Sequence, residues 1–149
     1  MFVARWLRKT DFEPFANLID ELGYDLDDVM RPFKSILTKG ERQHSIVVLL
    51  RHGDFAGFLM YKHNGKVVTI TNLAVLKQFR RQGGGKILMD FMLEPYQDDD
   101  SKPIKVNVSS YDMASQKFFA ALGFKAELAE DGENYVFRFK STARSGHEV

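Results

Sequence analysis

Asn72-Leu73-Ala74-Val75-Leu76-Lys77-Gln78-Phe79-Arg80-Arg81-Gln82-Gly83-Gly84-Gly85-Lys86 is the stretch on which the fold turns. A strand signal, Val67 to Val75, runs into a loop with three consecutive glycines, and an amphipathic helix follows at once. Ile87, Leu88, Phe91 and Met92 make the apolar side of that helix, while Lys86, Asp90 and Glu94 share the opposite side at i, i+4 spacing. Glycine lets backbone N–H groups approach an anion with no Cβ in the way. The helix N-terminus adds partial positive charge. Lys77, Arg80, Arg81 and Lys86 supply four cations, and no acid interrupts them before Asp90. Together these features make a cradle for a pyrophosphate.

Other readings of the same glycines are weaker. A P-loop needs Gly-x-x-x-x-Gly-Lys followed by Ser or Thr, and Ile87 stands where the hydroxyl should be. A dinucleotide fingerprint needs Gly-x-Gly-x-x-Gly early in a βαβ unit, and that spacing is absent. A glycine-rich turn with merely solvated cations is the bland alternative.

Toward the N-terminus, Phe2 to Leu7 reads as a strand, and Thr10 or Asp11 could cap a helix from Phe12 to about Leu22 that stops at Gly23. A second helix is expected from near Asp27 through Leu37, with Pro32 confining its start to the residues just before it. Lys39-Gly40-Glu41 closes this helical half. Strands follow at Ile46–Leu50 and Phe55–Lys62, joined by the His52-Gly53-Asp54 turn, and Asn64-Gly65 is the strongest hairpin signal in the chain. The nearly uncharged run to Val75 belongs in the middle of a sheet.

Toward the C-terminus come a helix at Gly84–Leu93, a strand at Ile104–Val108, a helix at Met113–Leu122, and strands at Phe124–Glu127 and Tyr135–Lys140. Asp98-Asp99-Asp100 reads as a solvated connection and Ser141–Val149 as a frayed tail. The order β-α-α-β-β-β-α-β-α-β-β predicts an α/β (α+β) domain over 1–140, a central mixed, mostly antiparallel sheet flanked by four helices.

Bulk properties narrow the function. The 149 residues suffice for one domain with a real core. Basic residues (21) nearly balance acidic ones (20), which argues against a nucleic-acid partner held by bulk charge, including an RNA-binding domain built on Lys77–Lys86. The absence of Cys excludes disulfides and a thiol nucleophile, and no His pair has ligand spacing, so no metal is expected. Met1 to Trp6 lacks a signal-peptide layout, and no apolar run approaches membrane-spanning length. The expectation is a cytoplasmic protein with no membrane partner.

Arg80-Arg81-Gln82-Gly83-Gly84-Gly85 resembles the Arg/Gln-x-x-Gly-x-Gly/Ala motif of the Gcn5-related N-acetyltransferases. A second stretch, Asp112-Met113-Ala114-Ser115-Gln116-Lys117-Phe118-Phe119-Ala120-Ala121-Leu122-Gly123-Phe124, resembles the Asn-x-x-Ala-x-x-Phe-Tyr-x-x-x-Gly-Phe segment of the same family. Either motif alone is moderately specific; together, in the family's order and spacing, they are strong.

The resemblance implies direct attack of an amine on the thioester of acetyl-CoA, within a ternary complex. Backbone N–H groups of Arg81, Gln82, Gly83, Gly84, Gly85 and Lys86, with Arg80 beside them, would hold the pyrophosphate. Main-chain groups of Leu73, Ala74 and Val75 would pair with pantetheine, and Asp112, Ser115, Phe118 and Phe119 would flank the cofactor. Entry is expected where the strands after Lys66 and before Asp112 diverge. The acceptor would be a small-molecule or peptide amine, and the resemblance leaves room for a homodimer.

Three positions depart from the family's pattern. Phe119 stands where a Tyr often protonates the leaving thiolate, Asp112 replaces Asn, and Ser115 replaces Ala. Tyr111 could substitute as general acid; the alternatives are ordered water, or a plain aromatic partly buried at a strand end. Asn72 and Asn107 stand where relatives can carry Glu, so no general base is obvious and a weakly basic α-amino acceptor is favoured. The acids Asp20, Glu21, Asp25, Asp27 and Asp28 could draw in a cationic acceptor, or simply cap a helix start and be solvated. The missing Tyr also suits a different class of protein, a CoA-binding sensor or partner module without catalysis.

Overall fold

The computed structural model describes residues 1–39, 43–96 and 102–139. Among the described residues seven strands and four α-helices form, close to the boundaries read from the pattern. They are β1 (Phe2–Trp6), α1 (Phe12–Leu22), α2 (Leu26–Lys39), β2 (His44–Arg51), β3 (Asp54–His63), β4 (Val68–Val75), α3 (Gly84–Leu93), β5 (Ile104–Ser109), α4 (Met113–Ala121), β6 (Lys125–Leu128) and β7 (Asn134–Phe139). The strands make a seven-stranded mixed sheet in the order β1-β2-β3-β4-β5-β7-β6. The α/β class and the mostly antiparallel sheet with four helices are therefore as expected. Asp98-Asp99-Asp100, Gly40-Glu41 and the Ser141–Val149 tail lie outside the described residues.

The chain divides into two compact units, each discontinuous in sequence, and β4 contributes to both. The first comprises Met1–Lys62 and Asn72–Glu94. Here β1 pairs with β2 and β2 with β3, both antiparallel. Side chains alternate across a strand, yet Ile46, Val47, Val48 and Leu49 are all buried, which requires cover on both faces of β2. One face packs in a single cluster with Phe15, Leu18 and Ile19 of α1 and Val29, Met30 and Phe33 of α2. The other meets α3, whose Gly84 lies against Leu49.

One expectation about this unit is corrected. Asp11 does not cap α1 with its side chain; a short 3-10 turn, Lys9–Asp11, precedes the helix. The Asp11 carboxylate instead accepts from Arg5 Nη1 (2.8 Å), Arg5 Nη2 (3.1 Å) and the Arg8 N–H (2.7 Å). The second helix, expected from near Asp27, begins at Leu26 and carries Pro32 inside it. A proline there costs about 3 kcal/mol. Burying Val29, Met30 and Phe33 at roughly 1.5–3 kcal/mol each outweighs that. Asp25 caps the helix instead, accepting from the Asp27 N–H at 2.9 Å and the Asp28 N–H at 3.3 Å.

The second unit joins His63–Thr71 to the described residues from Pro95 onward. β4 pairs with β5 in parallel, Val68 to Ile70 against Ile104 to Val106. β5 and β6 flank β7, both antiparallel to it. Its core joins Val68, Ile70, Ile104, Val106 and Val108 to an aromatic group in which Phe119 packs on Phe124 at 5.3 Å and on Phe137 at 6.3 Å between ring centroids. Asp131 orders the β6–β7 turn by accepting from the Glu133 N–H, the Asn134 N–H and Asn134 Nδ2.

Candidate functional site

β4 ends where β3 is irregular. Leu49 pairs with Gly57 and Leu50 with Phe55, so Ala56 is an extra residue in β3. The Ala56 carbonyl accepts from the N–H of Leu76, the first residue beyond β4, at 2.8 Å. Beside it Gly57 permits a close crossing. A Cβ built there would stand 2.5 Å from the Ala74 carbonyl oxygen and 3.1 Å from Val75 Cα. The backbone of Ala74 to Leu76 is thus fixed by a bulge and a glycine on the neighbouring strand. A glycine inside the Phe55–Lys62 strand pattern is the sequence signal for this close approach.

The loop that follows is compact. A 3-10 turn, Lys77–Phe79, is followed by Arg80, whose Nε donates back to the Val75 carbonyl at 2.9 Å. Arg81 holds a left-handed φ of 63°, and Gly83 has φ 87°. Gly83 is the N-cap of α3 and offers no side chain to the helix start. The N–H groups of Gly84, Gly85 and Lys86, the first three helical residues, precede the first bond of the ladder, from Ile87 N to Gly83 O at 3.1 Å. A Cβ built on Gly83 would meet nothing within 4 Å, so no neighbour crowds the loop at that residue. Left-handed backbone followed by uncapped helical N–H groups is an arrangement able to receive an anion. Arg81 and Lys77 are exposed beside it. Lys86 is turned along the helix to Asp90 at 2.7 Å.

Gly84 has a second task. A Cβ on it would come within 2.7 Å of Leu49 Cδ2, so its small size also seats α3 on β2. Gln82, expected as a cofactor contact, has its side chain engaged: its Oε1 accepts from Arg51 Nη1, and its Nε2 donates to the Gln78 carbonyl at 3.4 Å. Arg51 lies 31 residues away in sequence, and nothing local pointed to it.

The second unit carries the other predicted residues. Asp112 caps α4, accepting from the Ser115 N–H at 3.1 Å and the Ser115 hydroxyl at 2.6 Å. The Asp112 and Ser115 replacements therefore form a matched pair at the helix start. Phe119 is a core residue, 4% exposed, and Phe118 is half-buried against it. Tyr111 is 90% exposed, so the reading of it as a partly buried aromatic is corrected. It lies in a tight turn that points it outward. Gln116, which sequence reasoning missed, ties this turn down: its Nε2 donates to the Ser109 and Ser110 carbonyls, both at 3.0 Å. Asn72 is half-buried on β4, and Asn107 is exposed on β5. No cluster of metal-ligating side chains occurs among the described residues. Nor is any helix among them long and apolar enough to cross a membrane.

A mixed sheet whose central strand leads into an uncapped, glycine-rich helix start defines an acetyl-CoA-dependent acetyltransferase. The chain belongs to the acetyltransferase (GNAT) family, which it matches over residues 3–124, a span that holds both motifs. Solved structures share the fold. The ribosomal-protein-S18-alanine N-acetyltransferase from Escherichia coli is 17% identical, with TM-score 0.69 over 93% of this chain and 91% of that one. The PaiA N-acetyltransferase from Thermoplasma acidophilum, in complex with coenzyme A, is 12% identical, with TM-score 0.75 over 94% and 99%. Arabidopsis thaliana Naa50, in complex with a bisubstrate analogue, CoA-Ac-MVNAL, is 16% identical, with TM-score 0.71 over 93% and 98%. Among curated proteins, none matches significantly.

Proposed function

We propose that this chain acetylates a weakly basic amine, a peptide α-amino group or a small amine of similar basicity, by direct attack on acetyl-CoA in a ternary complex. The N–H groups of Gly84, Gly85 and Lys86 hold the pyrophosphate, with Arg81 and Lys77 adding charge. Acetyl-CoA supplies the activated acyl group. Main-chain groups of Leu73 to Val75 orient the thioester and stabilise charge developing on its carbonyl oxygen. Asp112, Ser115, Phe118 and Phe119 are assigned as further contacts of the donor on the family resemblance. The nitrogen–carbon bond forms, the carbon–sulfur bond breaks, the amine gives up one proton and the thiolate takes one.

The observation that carries the choice of acceptor is the pair Asn72 and Asn107, amides that accept no proton at neutral pH. A Lys ε-amine, with pKa about 10.4, costs about 4–5 kcal/mol to deprotonate at pH 7; an α-amine, with pKa about 8, costs about 1–1.4. A site without a strong base therefore discriminates by about a hundredfold in kcat/KM. The test is thiol release at pH 7 with free-N-terminus peptides lacking Lys, against Nα-blocked peptides containing Lys. Equal turnover of the two sets would sink this reading. CoA binding with no turnover of any amine would favour a binding module instead, a reading supported by Phe119 having no hydroxyl.

A further inference from the structure

We infer that Arg51 is a positioning residue for the glycine loop, holding it in its anion-binding shape through Gln82. This rests on the reading of that loop as the pyrophosphate cradle. Arg51 closes β2 and pairs with Phe2 of β1 and Asp54 of β3. Its guanidinium carbon lies 5.6 Å from the ring centroids of both Phe2 and Phe79, within cation–π range of each. Those rings meet edge to face at 6.3 Å.

The stack holds the loop at three places. Phe79 is its first turn, Gln82 is its middle and receives the Arg51 hydrogen bond, and Gly84 is its end, 3.8 Å from Phe2 Cζ when a Cβ is built there. Between these places Arg81 keeps a left-handed φ that an L-residue does not favour. Arg51 thus immobilises the segment where backbone N–H groups must converge, and it does so without its own side chain being one of the proposed anion contacts. A Lys could keep the charge, but not a planar group that faces two rings and directs an N–H at Gln82.

A loop organised before binding loses less freedom on binding. Arg51→Ala should raise the acetyl-CoA KM about tenfold, with kcat within about twofold, because donor binding is lost equally from ground and transition states. Arg51→Lys should behave nearly as the Ala variant does. Gln82→Ala should raise KM similarly, and the double variant should be no worse than either single one, because both remove the same link. A structural defect would lower melting temperature without this coupling. Should Arg51→Ala fail to fold, Arg51→Lys and the exposed Gln82→Ala carry the test.

Gly83→Ala separates the two ideas. If it weakens CoA binding while the Arg51 variants bind CoA normally, the positioning role is overturned and the cradle stands. If neither affects CoA affinity, the cradle reading fails and this inference with it. Effects of Arg51 and Gln82 that multiply rather than merge would also overturn the inference, since Arg51 would then not act through Gln82.

Discussion

Gly57 lies beneath Ala74 so closely that a Cβ on it would stand 2.5 Å from the Ala74 carbonyl oxygen. The obstacle is backbone, which cannot rotate away as a side-chain tip can, so Gly57→Ala must push β3 and the end of β4 apart. Overpacking of this kind costs about 1–3 kcal/mol. Displacement falls on Leu73 to Val75, whose main chain is proposed to orient the thioester. Gly57→Ala should therefore lower both melting temperature and kcat, with the kcat loss larger than a global stability change explains at a temperature where the variant is folded. Thermal melts beside steady-state kinetics at 15 °C (about that value suffices) would check this. Unchanged kcat in a folded variant would mean that the end of β4 does not position the reacting group.

Asp11 and Arg5 join the first strand to the turn before α1. Asp11 is only 5% exposed, and hydrogen bonding from Arg5 holds its carboxyl below the usual carboxylate range, opposed by burial and aided by the Arg8 N–H. A folded pKa below the unfolded one gives stability that is present above about pH 4. That stability is lost as pH falls through the lower folded value. Asp11→Asn should cost about 2 kcal/mol at pH 7, less than a fully enclosed pair because Arg5 is partly exposed. The gap between variant and native protein should close as the native carboxylate is protonated. Urea unfolding at pH 7 and at about pH 2.5 measures it. A gap of the same size at both would show that the ion pair contributes nothing specific.

The features that could be read in the sequence are those whose cause is local. Three glycines between a β-branched run and a helical apolar face specify strand, loop and helix within 20 residues or so. Gly23 and Asn64-Gly65 likewise announce their own backbone geometry: α1 stops at Leu22, and Asn64 Oδ1 accepts from the Lys66 and Val67 N–H groups. What escaped depends on partners far along the chain. Asp11 looked like a helix cap because a cap is its commonest local role, and only the arrival of Arg5 from β1 diverts it. Pro32 is tolerated inside α2 because burial of that face is tertiary, whereas propensity is local. Arg51 carried no signal at all, since its meaning lies in two aromatic rings and a glutamine brought to it by folding. For the proposed site, the glycine loop and its helix start were legible and the side chains packed around them were not.

Tyr111 offers the sharpest test of how the leaving group is protonated. Its ring is 90% exposed, while its backbone is pinned: the Tyr111 N–H donates to Ser109 Oγ at 3.2 Å, and Gln116 holds the carbonyls on either side of Ser110 N–H. A side chain so exposed contributes little to stability, so Tyr111→Phe should melt within about 0.5 kcal/mol of the native protein. If its hydroxyl protonates the departing thiolate, kcat should fall about a hundredfold, the lower end for a lost general acid, while the acetyl-CoA KM holds. If kcat survives the substitution, water delivers the proton and Tyr111 has no part in the chemistry. That outcome would also fit Phe119, a core residue whose lost hydroxyl then has no side-chain replacement in the β5–α4 turn.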